Sequence, residues 1–158
     1  MLIKKLIEED YNDYGKSVSM FIAFPKCDFK CDKECGEQVC QNSALAHAKN
    51  IDMKIEEIVE KYLNNPITKS IVCGGLEPFD SFIDLYELIS KIREYTEDDI
   101  IIYTGYEISE IVEQVYKLKT FKNIIIKFGR FIPNQKKHYD EILGVYLASP
   151  NQYAERIS

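Results

Sequence analysis

Short, solidly apolar runs that alternate with segments of helical periodicity are the feature that most constrains how this chain folds. Strands that are apolar on both faces are typical of a parallel sheet covered by helices. A chain of 158 residues has the length of about one domain. We therefore predict a single α/β domain over residues 1–158, with a mostly parallel sheet. Its elements are predicted in this order: strand 17–24, helix 54–63, strand 70–73, helix 82–92, strand 99–103, helix 108–115 and strand 123–128.

Two shorter elements complete the predicted order. A short helix is predicted over residues 43–49, with Asn42 or Ser43 as its N-cap. A final short strand is predicted over residues 144–149.

The carboxyl ends of the predicted parallel strands carry the unusual residues of this chain. In open parallel sheets, ligands bind beyond these ends, where neighbouring strand ends lie side by side. We therefore predict that the loops after the strands share one site. These loops contain Cys27, Gly74-Gly75-Leu76-Glu77-Pro78, Tyr103-Thr104-Gly105, Gly129-Arg130-Phe131 and Ala148-Ser149-Pro150-Asn151-Gln152.

Four of the five cysteines follow the first predicted strand in one short segment, as Cys27, Cys31, Cys35 and Cys40. Thiolates are soft ligands, and they select zinc, copper(I) or an iron–sulfur cluster. In a reducing compartment, clustered cysteines bind metals more often than they form disulfides. Three of these thiolates would hold three irons of a four-iron cluster and leave the fourth iron open to a ligand.

A structural zinc knuckle is the alternative interpretation of the four cysteines, because it is also built from cysteines close in sequence. Zinc knuckles usually carry paired Cys-x2-Cys units, and this segment contains none. The spacing therefore favours an iron–sulfur cluster over zinc.

Charge and hydropathy exclude two classes of partner. The net charge of −6 argues against nucleic acid, because phosphate binding requires clustered Lys and Arg. No apolar stretch approaches the roughly 20 residues of a membrane span, and the acidic start lacks the features of a signal peptide. We therefore expect a cytoplasmic protein that binds neither nucleic acid nor a membrane.

The residues at the other strand ends are each open to two interpretations. Gly74 and Gly75 allow the backbone to approach a ligand closely, and Glu77 would then accept a hydrogen bond from a ligand's amine; a plain turn is the alternative. Arg130 beside Gly129 suits a carboxylate, and an ordinary surface arginine is the alternative. Tyr103-Thr104-Gly105, at the end of the third predicted parallel strand, is likewise either a ligand contact or a turn.

Taken in order, these motifs resemble those of the radical S-adenosylmethionine enzymes. The likeness spans almost the whole chain, from the strand before Cys27 through Gly-Gly-Leu-Glu-Pro and Tyr-Thr-Gly-Tyr to Gly-Arg-Phe and Ser-Pro-Asn-Gln. Within this group, the compact length resembles that of the activating enzyme of anaerobic ribonucleoside-triphosphate reductase. The resemblance implies a partial (β/α) barrel that holds a [4Fe-4S] cluster and S-adenosylmethionine.

The resemblance also implies roles for the predicted site residues. The open iron would bind the amino and carboxylate groups of S-adenosylmethionine, and Gly74, Gly75 and Glu77 would hold the amino group. The remaining cofactor surface would be lined by Asn42, Tyr103, Thr104, Gly129 and Arg130.

The activity implied by the resemblance is that of a radical-generating activase. One electron from the reduced cluster would cleave S-adenosylmethionine to methionine and a 5′-deoxyadenosyl radical, which in the family removes a hydrogen from a glycine of the large reductase subunit. A large glycyl radical enzyme and a flavodoxin- or ferredoxin-type electron donor are therefore the implied partners. The alternatives are a small radical enzyme acting on a metabolite or peptide, and a non-catalytic zinc- or cluster-binding adaptor.

The spacing of the motifs departs from the family's pattern in two places. The usual cysteine pattern is Cys-x3-Cys-x2-Cys; Cys27 and Cys31 fit the first pair, but Glu34 stands at the expected third place. The second departure is Leu76, which moves Glu77 one place beyond the usual Gly-Gly-Glu.

Two cysteines are candidates for the third cluster ligand. Cys40 is favoured, because the following Gln41-Asn42-Ser43 resembles the family's sequence after its third ligand. Residues 32–39 would then be an insertion. Cys35 is the alternative, since it requires only one extra residue in the spacing.

Overall fold

In the computed structural model, which describes residues 1–158, a six-stranded sheet separates two apolar clusters of different size. The strands are β1 (Leu2–Ile3), β2 (Lys5–Asp10), β3 (Ser19–Phe24), β4 (Ile51–Asp52), β5 (Ser70–Gly75), β6 (Asp99–Tyr103), β7 (Ile124–Phe128), β8 (His138–Asp140), β9 (Val145–Leu147) and β10 (Tyr153–Arg156). The α-helices are α1 (Lys30–Cys35), α2 (Ser43–His47), α3 (Ile55–Asn64), α4 (Phe82–Ile92) and α5 (Val112–Leu118), and short 3₁₀ helices cover Pro78–Ser81 and Ile108–Glu110.

The sheet is mostly parallel and open. Its strand order is β10-β7-β6-β5-β3-β2, in which β3, β5, β6 and β7 run parallel and the two end strands pair antiparallel to their neighbours. The end strands β2 and β10 do not pair with each other, so the sheet has two free edges. The α/β class and the mostly parallel sheet are confirmed; the barrel is not.

The larger apolar cluster lies between the sheet and the three longer helices. Leu85, Leu88, Ile89 and Ile92 repeat at helical spacing on α4, and all four are buried. Helices α3 and α5 add their own apolar faces to the same cluster. None of the helices is both long enough and apolar enough to cross a membrane.

The smaller cluster covers the opposite face of the sheet, and it positions the site. Successive strand residues point to opposite faces, so Ile125 belongs to this cluster while its neighbours in β7 face the helices. Tyr14, Leu143 and Leu147 cover this face from outside the six-stranded sheet, Leu147 from strand β9. Towards the carboxyl ends of the parallel strands, the cover gives way to a pocket.

The predicted final strand over residues 144–149 is only partly correct. Its middle forms β9, but β9 pairs with β8 in a separate hairpin and not with the main sheet. The true last strand is β10, which pairs antiparallel with β7. The sequence analysis missed β10 and β2 because both are edge strands rich in charged residues, which lack the solid apolar run of a buried strand.

The packing of α4 predicts that alanine substitution destabilises the protein far more at a buried position than at an exposed position of the same helix. We expect Leu88→Ala to lower the free energy of unfolding by about 2–5 kcal/mol, because it removes a fully buried side chain and leaves a cavity. Ile83→Ala on the same helix is the matched control; Ile83 is 75% exposed, and we expect a change within about 0.5 kcal/mol. Urea unfolding of both variants measures the difference, and equal losses would contradict the assigned core face.

Candidate functional site

A pocket of about 350 Å³ lies beyond the carboxyl ends of the parallel strands, on the face of the smaller cluster. The cysteine loop (residues 27–40) and the glycine turn (residues 74–77, at the end of β5) both line it, so the pocket joins motifs that are far apart in sequence. Most of the predicted site residues line it. These are Cys27, Cys31, Cys40, Asn42, Gly74, Gly75, Glu77, Tyr103, Thr104 and Gly129.

Two predicted residues lie outside the pocket lining. Cys35 is exposed on α1. Arg130 forms a bidentate hydrogen-bonded ion pair with Glu110, at 2.7 and 2.8 Å, and its Nε lies 2.7 Å from Glu34 Oε1 without forming a hydrogen bond there. The carboxylates that Arg130 binds therefore belong to the protein itself, and the arginine ties α1 to the loop after β6.

The charge of Arg130 is balanced within this ion-pair network. The hydrogen bonds from Arg130 lower the pKa of the Glu110 carboxyl to about 2. Lys30 extends the network, since its Nζ lies 3.4 Å from Glu110 Oε1 and 3.7 Å from Asp28 Oδ2. The cysteine loop is therefore anchored to the core by charged side chains on its outer side.

A single aspartate closes the segment between the second and fourth cysteines. Asp32 Oδ1 accepts hydrogen bonds from the backbone N–H groups of Val39 and Cys40, both at 2.8 Å. Gly36 ends α1 with a φ of 72°, a left-handed conformation that lets the chain reverse. Residues 32–39 thus leave the site and return to it, and Cys40 lies in the same pocket as Cys31.

Direct contacts join the cysteine loop to the glycine turn. Asn42 Nδ2 donates a 2.6 Å hydrogen bond to the carbonyl oxygen of Gly75. Asn42 occupies the N-cap position of α2, as predicted, but its side chain caps no helical N–H and binds the turn instead. The backbone N–H of Glu77 donates to the carbonyl of Lys26 at 2.7 Å, just before the first cysteine.

Gly75 is required by the close packing of β5 against β3. Its φ is 87°, and a Cβ at this position would lie 2.7 Å from the Cα and Cβ of Ala23. No larger residue fits here without moving the backbone. The glycine turn therefore brings its backbone to the pocket with no side chain in between.

Glu77 is buried and connects several strand ends. Its Oε1 accepts hydrogen bonds from Thr104 Oγ1 at 2.8 Å and from the Phe79 N–H at 3.1 Å, and its Oε2 accepts one from the Gly105 N–H at 2.9 Å. Burial raises the pKa of this carboxyl to about 7, although these hydrogen bonds oppose the rise. The predicted acceptor for a ligand's amine is thus already occupied in holding the ends of β5 and β6 together.

The three pocket cysteines carry the chemistry of a soft-metal site. All five cysteines are free thiols. Burial raises the pKa of Cys27 to about 12 and also raises the pKa of Cys31, so both are protonated thiols in the metal-free protein. Three half-buried thiols at one pocket wall fit an iron–sulfur cluster, and binding it must release their protons.

The sequence analysis missed some residues that line the same pocket. Lys127 is the clearest case, because it is a charged residue inside the otherwise apolar strand β7, and that contrast was a usable signal. Asp13 also lines the pocket, and its backbone carbonyl accepts a 2.6 Å hydrogen bond from Tyr103 Oη. Burial raises the pKa of Asp13 to about 6. Nothing in the local sequence sets this aspartate apart from its acidic neighbours.

Fold and site together define an α/β protein with a thiol-lined pocket for a metal or cluster. The family model described as "4Fe-4S single cluster domain" matches residues 12–150, a range that includes the whole cysteine loop and every parallel strand. The chain therefore belongs to this family and is an iron–sulfur protein. Nothing matches it among curated proteins or among solved structures.

The closure of residues 32–39 by Asp32 is testable without any cluster. We predict that Asp32→Ala speeds hydrogen exchange of the Val39 and Cys40 amides by about tenfold or more, because each loses a hydrogen bond to a charged acceptor. Glu37→Ala is the matched control, since Glu37 is an exposed acidic residue in the same segment. Unchanged exchange in Asp32→Ala would show that the segment is held by other contacts.

Glu77 predicts a pH dependence of stability in the metal-free protein. Its pKa is raised from 4.5 to about 7 on folding, so the folded state binds the proton more tightly than the unfolded state. The stabilisation that the folded state gains from protonated Glu77 is fully present below about pH 4.5 and is lost as the pH rises through about 7. We expect the free energy of unfolding to fall over this range by on the order of 2 kcal/mol more in the wild type than in Glu77→Gln.

The control for this measurement is Glu60→Gln, which changes an exposed carboxyl on α3. Denaturant unfolding at several pH values gives the slope for each protein. Parallel slopes for the wild type and Glu77→Gln would contradict the raised pKa of Glu77.

Proposed function

We propose that this chain is a radical S-adenosylmethionine activase that holds its [4Fe-4S] cluster through Cys27, Cys31 and Cys40. The observation that carries the proposal is the shared pocket of about 350 Å³, which is lined both by three thiols and by Gly74 and Gly75. The 2.6 Å hydrogen bond from Asn42 to Gly75 supports it, because it fixes the loop after Cys40 against that turn. Three ligands leave one iron free, as binding of a cofactor there requires.

The position of Cys35 supports Cys40 as the third ligand. Cys35 is exposed on α1 and outside the pocket lining, whereas Cys40 is half-buried within it. A closed site with four cysteine ligands would need Cys35 to turn into the pocket. The zinc-binding adaptor is therefore the weaker candidate.

In this function the protein's residues bind and orient S-adenosylmethionine. Gly74 and Gly75 line the pocket and would hold the methionine end of the cofactor, because glycine lets the backbone approach a ligand closely. Glu77 joins the ends of β5 and β6 through its hydrogen bonds to Thr104 and Gly105. Tyr103 and Thr104 line the pocket next to this junction. Arg130 lies outside the pocket lining and pairs with Glu34 and Glu110, so it would position the cysteine loop in place of the cofactor contact predicted for it.

When bound and reduced, the cluster would supply the single electron that cleaves the carbon–sulfur bond of the S-adenosylmethionine sulfonium. The overall reaction would release methionine and move one hydrogen atom from a glycine of a large glycyl radical enzyme to the 5′-deoxyadenosyl group, which would leave 5′-deoxyadenosine and a glycyl radical. A flavodoxin- or ferredoxin-type protein in the cytoplasm provides the electron.

The pocket rim suits a protein substrate. Tyr146 lines the pocket and is 70% exposed, and its ring packs edge-on against Tyr139, which is 49% exposed. Exposed aromatic side chains at the mouth of a pocket are typical of surfaces that bind another protein. The hairpin of β8 and β9 is therefore the proposed contact for the partner's glycine-bearing loop.

The first test is cofactor cleavage by the isolated protein. We expect the protein reconstituted anaerobically with iron and sulfide to form 5′-deoxyadenosine when S-adenosylmethionine and dithionite are added. Cys40→Ala should lower the yield at least tenfold, since the cluster loses a ligand, and Cys35→Ala should retain activity. The two variants are matched, because each removes one thiol from the same loop.

The outcomes separate the candidate functions. If Cys35→Ala loses activity and Cys40→Ala keeps it, the third cluster ligand is Cys35 and not Cys40. A protein that loads a cluster but forms no 5′-deoxyadenosine would refute the radical activity and leave a cluster-binding protein. Loading of zinc alone would favour the adaptor.

A further inference from the structure

Lys127 is a buried cation that forms no ion pair with a protein carboxylate. Its side chain lies at the end of β7 and lines the pocket, and the residue is 6% exposed. Its ammonium donates one hydrogen bond, to the carbonyl oxygen of Gly129 at 2.9 Å. A lysine ammonium has three N–H donors, so two remain without a protein acceptor.

Burying a charged group without an ion-pair partner costs free energy, and this cost lowers the pKa of a buried lysine. Burial lowers the pKa of Lys127 to about 8, so the protein disfavours its charge unless an anion is near. Tyr103 provides only a distant cation–π contact, with Nζ 5.9 Å from the ring centroid. The arrangement therefore calls for an anionic occupant of the pocket.

The thiols that would hold the cluster line the same pocket as Lys127. Cys27, Cys31 and Cys40 all belong to that lining, so a cluster bound to them lies in the space that the lysine borders. Glu77 and Glu107 act on Lys127 only through space, since its one hydrogen bond goes to the carbonyl oxygen of Gly129. Arg130, three residues further along, is already paired with Glu110 and Glu34 and lies outside the pocket lining.

We propose that Lys127 is the built-in counter-charge of the cluster and raises its reduction potential. A cluster held by thiolates is anionic, and reduction adds one electron from the donor and thus one more negative charge. A fixed positive charge in a low-dielectric site stabilises that added charge, and net charge is among the factors that set cluster potentials. This inference rests on the cluster site and not on cleavage of S-adenosylmethionine.

The test is the midpoint potential of the cluster, measured by dithionite titration followed by electron paramagnetic resonance without S-adenosylmethionine. We expect Lys127→Met to shift the potential to more negative values, and Lys127→Arg to remain near the wild type. Lys61→Met is the matched control; it removes the same charge from α3, where Lys61 pairs with Glu8 at the surface. We expect no shift in that variant.

The outcomes decide the proposal independently of the proposed function. An unchanged potential in Lys127→Met, or an equal shift in Lys61→Met, overturns it. If Lys127→Met does not fold, Lys127→Gln takes its place with the same expectations. If neither neutral variant loads a cluster, Lys127 is required for cluster assembly, and the proposed role in setting the potential is overturned.

Discussion

The hydrogen bonds of one buried carboxylate hold the floor of the pocket together. Glu77 accepts from Phe79, Thr104 and Gly105, while its own backbone N–H donates to Lys26. These contacts connect the chain after β3, β5 and β6 at a single point. Side-chain packing alone cannot set such a junction, because strand ends carry backbone groups that the sheet leaves unpaired. The spacing between the cysteine loop and the glycine turn therefore depends on a polar residue in an apolar setting.

The two cations at the end of β7 show how one strand serves two sides of the molecule. Lys127 follows the alternation of the strand into the pocket, and Gly129, with a φ of 95°, turns the chain so that Arg130 leaves the pocket and meets Glu110. Arg130 is paired with protein carboxylates and connects α1 to Glu110. Lys127 has no such ion pair. Their different environments, rather than their shared charge, determine what each can do.

The parallel sheet and its site edge were predictable from the sequence, and the pairings of side chains were not. Apolar runs such as Ile100-Ile101-Ile102 are buried on both faces, which predicts parallel strands. The site motifs each follow such a run, so they were predicted to lie together at the carboxyl edge of the sheet. The role of Arg130 was not visible, because its partner Glu110 comes from another loop and Glu34 from α1. The edge strand β10 was missed because its short, charged sequence lacks the apolar run of a buried strand, and only its pairing with β7 defines it.

The closure of residues 32–39 has a consequence for how such sites vary. Asp32 binds the backbone at the far end of the segment, so the two ends of the segment are held together. The residues between Asp32 and Val39 can therefore vary in number while Cys31 and Cys40 keep their positions. The number of residues between two ligands is then a poor guide to the distance between their sulfur atoms, and a motif search based on fixed spacing will overlook chains built in this way.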